Sequence, residues 1–127
     1  MTTLVADGDA SARLRELIGR LDCHEGFREV VASLDAGHAA TLDGVWGAAC
    51  SLIAARLIVH APATLLLVCP ELSDADRLVD DLALFTSVTA ERFPAWETPA
   101  SRQVLRDEVF GARLRLLKRL SGRESPR

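Results

Sequence analysis

The stretch "DGVWGAACSL", residues 43–52, follows a short apolar run and opens a helical pattern. In the phosphate-binding pattern G-x-x-x-x-G-K-[ST], backbone amides cradle phosphate, the lysine neutralises charge and the hydroxyl binds magnesium. Gly44 aligns with the first glycine and Ser51 keeps the hydroxyl. Ala49 and Cys50 stand in place of the second glycine and the lysine. The stretch therefore predicts a loop with the spacing of a phosphate-binding loop but without its second glycine and its lysine.

The substitutions in this degenerate loop disfavour phosphate in three ways. Cys50 supplies no positive charge, and a thiolate at that position would repel phosphate. The carboxylate of Asp43 adds a negative charge directly before the loop. Ala49 adds a methyl group where the backbone of a working loop approaches the ligand closely. We therefore expect no useful ATP hydrolysis and no bound cofactor.

A purely structural interpretation also explains the composition of the loop. The small residues Gly47, Ala48 and Ala49 would let a helix pack closely on a neighbouring layer. Trp46 would then fill the space that a nucleotide occupies in a working phosphate site. This hypothesis requires the Trp46 side chain to be buried.

Apolar residues spaced three and four apart predict helices on both sides of the loop. Two helices are expected within residues 10–37, one within 46–61, one after Pro70, and a last one from about Gln103 to Leu120. The residues expected on the buried faces of the second and fourth helices are Phe27, Val30, Val31, Leu34, Leu78, Val79, Leu82 and Phe85.

Three stretches between the helices predict strands, at residues 38–45, 63–70 and 87–94. The second, "ATLLLVCP", is apolar on both faces, as is typical of a strand inside a parallel sheet. Strands that alternate with helices indicate βαβ units. The expected fold class is therefore α/β, with three layers and a small, mostly parallel sheet of degenerate phosphate-loop NTPase type, preceded by N-terminal helices.

The chain divides into four parts on this interpretation. They are a disordered N-terminus (1–9), N-terminal helices (10–37), a truncated α/β domain (38–120) and a flexible tail (121–127). A truncated sheet exposes an unpaired edge strand, which favours pairing with a second chain. We therefore expect some tendency to form a homodimer.

Composition excludes several classes of protein. The 15 basic and 18 acidic residues give a net charge of −3, so there is no general attraction to nucleic acid or to an anionic membrane. The apolar region 47–70 is interrupted by Arg56, His60 and Pro62, which argues against a membrane helix. The three cysteines form no C-x-x-C pair, which favours a reducing cytoplasm and predicts no metal site.

Basic residues are concentrated near the end of the chain. Four of them fall on the predicted last helix and are candidates for DNA contact: Arg113, Arg115, Lys118 and Arg119. No aromatic residue is interleaved with them, and basic side chains at a helix C-terminus are favoured by the helix dipole alone. We expect DNA binding by this chain to be weak or absent.

The order of motifs resembles that in the N-terminal module of bacterial transcription-repair coupling factors. That family has a G-x-x-G-[SA]-A turn before a helix, then an apolar strand, an acidic helix and a P-x-W-E-T motif. The corresponding stretches here are "GVWGAA" (44–49), "VCPELSDADRLVDDLALF" (68–85) and "FPAWET" (93–98). The most specific part of the match is formed by Phe93, Pro94, Trp96, Glu97 and Thr98. Trp96, Glu97 and Thr98 are the candidates for a family-specific corner or partner contact. The resemblance spans roughly residues 35–120.

The resemblance implies a non-catalytic scaffold within a cytoplasmic DNA-repair protein. A full-length coupling factor displaces stalled RNA polymerase with an ATP-driven DNA translocase located C-terminal to this region, and recruits excinuclease A. The related first domain of excinuclease B keeps a working G-K-T loop. The expected partners are other domains of the full-length protein, excinuclease A and RNA polymerase.

The sequence departs from the family pattern in two ways. The inserted family domain that carries the main excinuclease A surface is expected beyond residue 120, and the segment after Thr98 is shorter than in the family.

The sequence also permits two alternative functions. One alternative is a nucleotide-binding enzyme domain in which Ser51 and the loop amides act with Arg56 or Arg102 in place of the lysine. The other is a free-standing α/β adaptor.

Overall fold

The computed structural model describes residues 7–95 and 107–122, and this part of the chain is helical. Its five helices are α1 (Asp7–Leu21), α2 (Glu25–Asp35), α3 (Ala48–His60), α4 (Leu72–Phe85) and α5 (Asp107–Ser121). Helices α1, α3 and α4 pack against one another in pairs, and α3 and α4 carry buried side chains. Helix α2 adds two buried side chains, Phe27 and Val30.

Helix α3 is central because it is apolar on nearly every side. Its sequence "AACSLIAARLIVH" carries one fully charged residue, Arg56, and a helix that is apolar all round is stable only when it is surrounded. Ala54 and Ala55 are 4% and 1% exposed, so these small side chains are part of the core. On α4, Leu82 and Phe85 are buried, as the sequence periodicity predicts.

The α/β fold class expected from the sequence is wrong for the described part of the chain. Residues 38–45, 63–70 and 87–94 lie in irregular structure, and no strand or sheet is present in 7–95 or 107–122. A strand exists only when its backbone pairs with a neighbour. In the described residues the segment 63–69 is assigned to neither a helix nor a strand.

The segment 63–70 shows why the strand prediction failed. Leu66 and Val68 are 72% and 86% exposed, whereas Leu65 and Cys69 are half-buried. One side of the segment therefore faces solvent, where a strand inside a parallel sheet would be covered on both faces. No sheet is present in the described ranges, so they contain no unpaired edge strand. The expectation of a homodimer formed through such an edge is therefore withdrawn.

Candidate functional site

The degenerate loop is a glycine-dependent turn that leads directly into α3. Gly44 and Gly47 have φ angles of 71° and 57°, in the left-handed region that favours glycine. Gly47 is the residue before the first turn of α3, and no side chain caps that turn. The junction thus keeps the backbone shape suggested by the glycine spacing, but it follows irregular chain instead of a strand.

Three backbone amides of the loop donate to acceptors within the loop itself. The Gly44 N–H donates to Asp43 Oδ1 at 2.8 Å. The N–H groups of Ala49 and Cys50 donate to the carbonyls of Trp46 and Gly47 at 3.3 and 3.0 Å. A phosphate site needs such amides pointed at its ligand. The carboxylate of Asp43 already holds one of them.

The Ser51 hydroxyl points into the protein interior. Ser51 is 1% exposed, and its Oγ donates to the Leu78 carbonyl on α4 at 3.4 Å. The neighbouring Cys50 thiol is half-buried and donates to the Val45 carbonyl at 3.7 Å. The side chain that would bind magnesium in a working loop therefore serves the contact between α3 and α4.

An open groove of about 520 Å³ lies between α2, the segment 40–45 and α3. Its apolar lining includes Phe27, Val30 and Ile53. The acidic residues Glu29 and Asp43 also line it. Two carboxylates beside an apolar surface repel phosphate, so this groove does not replace the lost phosphate site.

Trp46 does not fill a nucleotide space. Its side chain is 82% exposed. The hypothesis that Trp46 plugs the loop is therefore wrong. The side chain instead projects into solvent between the two left-handed glycines.

Arg56, the sequence candidate to replace the missing lysine, is paired with Asp22. The Arg56 Nε donates to Asp22 Oδ1 at 2.7 Å, and Nη2 donates to Oδ2. His60 Nε2 lies 3.6 Å from the same Oδ1. The fork-shaped guanidinium matches the carboxylate with two parallel bonds, which fixes its direction toward the end of α1. The other candidate, Arg102, lies outside the described residues.

Stability should fall in acid as Asp22 becomes protonated. The hydrogen bond from Arg56, helped by its charge and by His60, holds the pKa of Asp22 below its ordinary value of 3.8. A lowered folded-state pKa stabilises the fold above the unfolded value and loses that contribution as pH falls through the folded value. We expect the stability difference between wild type and Asp22→Asn to be present above pH 3.8 and to shrink as the pH falls below that value. Urea unfolding at a series of pH values measures this, and a constant difference down to the acid limit would contradict it.

The Asp22–Arg56 pair was not predicted from the sequence. The sequence does indicate that Arg56 needs a partner, because it is the only Asp, Glu, Lys or Arg in residues 44–70. A lone charge on an apolar helix generally needs a partner. The identity of the partner was not readable, since Asp22 is 34 positions away.

Only the start of the motif "FPAWET" (93–98) lies within the described residues. Trp96, Glu97 and Thr98 lie outside the described residues. The two residues that open the motif contact α5, because the Arg113 guanidinium lies 4.0 Å from the centre of the Phe93 ring and Nη1 donates to the Pro94 carbonyl. These contacts attach the start of the motif to the last described helix.

The four basic candidates for DNA contact differ in their surroundings. Arg113 is held by Phe93 and Pro94, and Arg119 forms an ion pair with Glu91. Arg115 and Lys118 are exposed. Two of the four cations are thus engaged in holding α5 to residues 91–94, which weakens their value as a phosphate-binding surface.

Neither a metal cluster nor a membrane helix is found in 7–95 and 107–122. No group of three His, Cys, Asp or Glu side chains there could hold a metal ion. No helix in these ranges is both long and apolar enough to cross a membrane. The chain matches no family model, no curated protein and no solved structure.

Proposed function

We propose that this chain is a non-catalytic scaffold module of a bacterial transcription-repair coupling factor. The single observation that carries the non-catalytic part is the inward hydroxyl of Ser51, which is 1% exposed and bonded to Leu78. The coupling-factor assignment is supported by the order of the loop, the acidic helix and "FPAWET" in the sequence. The irregular structure of residues 63–70, where the family has an apolar strand, counts against that assignment.

The scaffold would act through protein contacts. Its partners in this proposal are other domains of the full-length protein and, through them, excinuclease A and RNA polymerase, in the cytoplasm. The role fits a loop and helix whose side chains hold neighbouring helices together. Ser51 joins α3 to α4, and Arg56 joins α3 to the end of α1.

The nucleotide-binding enzyme is the weaker candidate. It needs a cation beside the loop, and Arg56 is bonded to Asp22 through both oxygens of the carboxylate. It also needs the Ser51 hydroxyl, which would have to leave the α3–α4 interface. Freeing both groups breaks a charge-assisted pair and leaves polar atoms without partners, which costs free energy before any phosphate binds.

Titration with magnesium-ATP tests the loop directly. We expect neither calorimetric heat nor a change in tryptophan fluorescence up to about 1 mM nucleotide, a limit that corresponds to about −4 kcal/mol of binding free energy. Trp46 is a suitable reporter because it is exposed and lies within the loop. A Trp46→Phe variant assigns any signal to this residue, since Trp96 remains as background. Saturable micromolar binding would overturn the non-catalytic assignment.

A restored loop provides the matched comparison. The double variant Ala49→Gly with Cys50→Lys returns the glycine and the lysine of the phosphate-binding pattern. We expect it also to show no saturable binding, because Asp43 still holds the Gly44 amide and Ser51 still faces Leu78.

The coupling-factor assignment has its own test in the gene. The reading frame downstream of codon 127 should continue into helicase motifs of a DNA translocase. A stop codon directly after that position would remove the assignment and favour a free-standing adaptor.

A further inference from the structure

The open groove between α2, the segment 40–45 and α3 is lined by apolar side chains from all three elements. Phe27 and Val30 of α2 are 3% and 9% exposed, so they form its floor. Ile53 contributes from α3, and Leu42, 39% exposed, contributes from the irregular segment. A ligand that enters this groove therefore meets an apolar surface.

The side chains in the groove lining that carry a full charge are both acidic. Glu29 lies on α2 and Asp43 lies on the segment 40–45, so the two carboxylates come from different walls. Among the described residues that line the groove there is no lysine or arginine, and the remaining ionisable side chain is that of His24. Within 7–95 and 107–122, neither carboxylate belongs to an ion pair. Both charges are therefore available to a cationic ligand.

An exposed aromatic ring follows directly after one wall of the groove. Val45 lines the groove, and the next residue, Trp46, is 82% exposed. The face of an indole ring attracts cations, and tryptophan is enriched among the residues that dominate binding energies at protein interfaces. Trp46 thus adds a second feature that favours a cationic protein ligand beside the groove.

Charge and shape together decide which class of ligand fits. Nucleic acids and anionic lipids carry phosphates, which the two carboxylates repel. Small ligands favour enclosed pockets that bury about 70–90% of their surface, whereas this groove is open on one side. An open apolar groove is the form that binds a helical or extended segment of another protein.

We propose that this groove binds a basic amphipathic segment of a partner protein. The apolar side chains of that segment contact the floor formed by Phe27, Val30 and Ile53, and its lysine or arginine side chains lie beside Glu29 and Asp43. The inference deepens the scaffold role proposed above and rests on it, because it names the chemistry of one partner. It makes no use of the coupling-factor assignment.

The binding should be weak and sensitive to salt. Each exposed ion pair changes affinity by about fivefold or less, and its attraction is screened over about 10 Å at 0.1 M salt. We therefore expect a dissociation constant of about 10–100 µM that rises as salt is added.

A designed peptide serves as the probe. It has about 14 residues, or four helical turns, with leucine at the i, i+3, i+4 and i+7 spacing and lysine at the other positions. A matched peptide carries glutamate in place of every lysine. Fluorescence anisotropy of the labelled peptides, titrated with the full chain, measures both affinities. We expect saturable binding of the lysine peptide and none of the glutamate peptide.

Variants of the two carboxylates test the charge part of the proposal. Glu29→Gln combined with Asp43→Asn should weaken the lysine peptide by about tenfold. Asparagine at 43 keeps the oxygen that accepts the Gly44 N–H. The control is Glu16→Gln with Asp80→Asn, which removes the same charge from exposed sites outside the groove and should bind like wild type.

A second pair of variants tests the apolar part. Leu42→Ser should also weaken the lysine peptide, because Leu42 lines the groove. Leu66→Ser changes an exposed leucine in another irregular segment and should leave the affinity unchanged. Circular dichroism verifies that each variant is folded.

Three outcomes would overturn the proposal. The first is a wild-type chain that leaves the lysine peptide unbound up to about 1 mM. The second is equal weakening by the groove variants and their controls, which would assign the binding to net charge alone. The third is self-association of the chain that Leu42→Ser abolishes, without peptide binding, which would assign the groove to a second copy. In each case the non-catalytic assignment still stands, since saturable binding of magnesium-ATP is what would overturn it.

Discussion

Replacing Leu82 with alanine is expected to lower the free energy of unfolding by about 2–5 kcal/mol, the range for a buried leucine that leaves a cavity. Leu82 is 2% exposed and lies on α4, which packs against both α1 and α3. Small domains have a total stability of about 5–15 kcal/mol, so this single change removes a large share of it. Urea unfolding followed by circular dichroism measures the difference.

The matched control for this change lies on the same helix. Leu84 is 45% exposed, so Leu84→Ala removes the same atoms from a site that is largely in contact with water. We expect an effect of about 0.5 kcal/mol or less, as is usual at surface positions. Equal losses for the two variants would show that α4 does not bury the face that carries Leu82.

Replacing Ala55 with leucine is expected to destabilise the chain by about 1–3 kcal/mol, because the added carbons must enter a closely packed region. Ala55 is 1% exposed on α3, where small side chains bring the helices together. Ala55→Leu destabilises by adding atoms to a filled core, whereas Leu82→Ala destabilises by leaving a cavity. Thermal and urea unfolding both report it.

Ala83→Leu is the corresponding control, because Ala83 is exposed in the last turn of α4. The substitution changes helix propensity very little, since alanine and leucine are both strong helix formers. We expect no measurable loss of stability. If Ala55→Leu were equally harmless, α3 would have more room around it than its 1% exposure indicates.

The helices were readable from the sequence because helical periodicity is a local property. Phe27, Val30, Leu82 and Phe85 were all expected on buried faces, and all four are buried. Leu34 was expected there too, but it is 45% exposed, because α2 ends one residue later at Asp35. Spacing within one helix thus identifies the face, whereas the end of the helix limits how far that face is covered.

Strands could not be predicted reliably from the same local patterns. The segment "ATLLLVCP" has the composition of a buried strand, yet composition does not specify a pairing partner. Its apolar residues suggest a sheet interior, while the buried side chains of the described chain come from α2, α3 and α4. Short apolar runs are ambiguous for this reason.

Part of the candidate site could be predicted from the sequence. The spacing of Gly44, Gly47 and Ser51 predicted a turn that enters a helix, and both glycines have positive φ. The inward direction of the Ser51 hydroxyl was not predictable, because its partner Leu78 is 27 positions away. The pairing of Arg56 with Asp22 depends on the same kind of distant contact.

The attachment of α5 also has a consequence for how the molecule opens. Helices α1, α3 and α4 share one packed centre, while α5 is held to residues 91–94 by Arg113 and Arg119. Such a helix can separate without disrupting the centre, so it belongs to the least cooperative part of the fold. Its amide protons would then exchange with solvent through a local opening, ahead of those in α3, which exchange only when the whole domain unfolds.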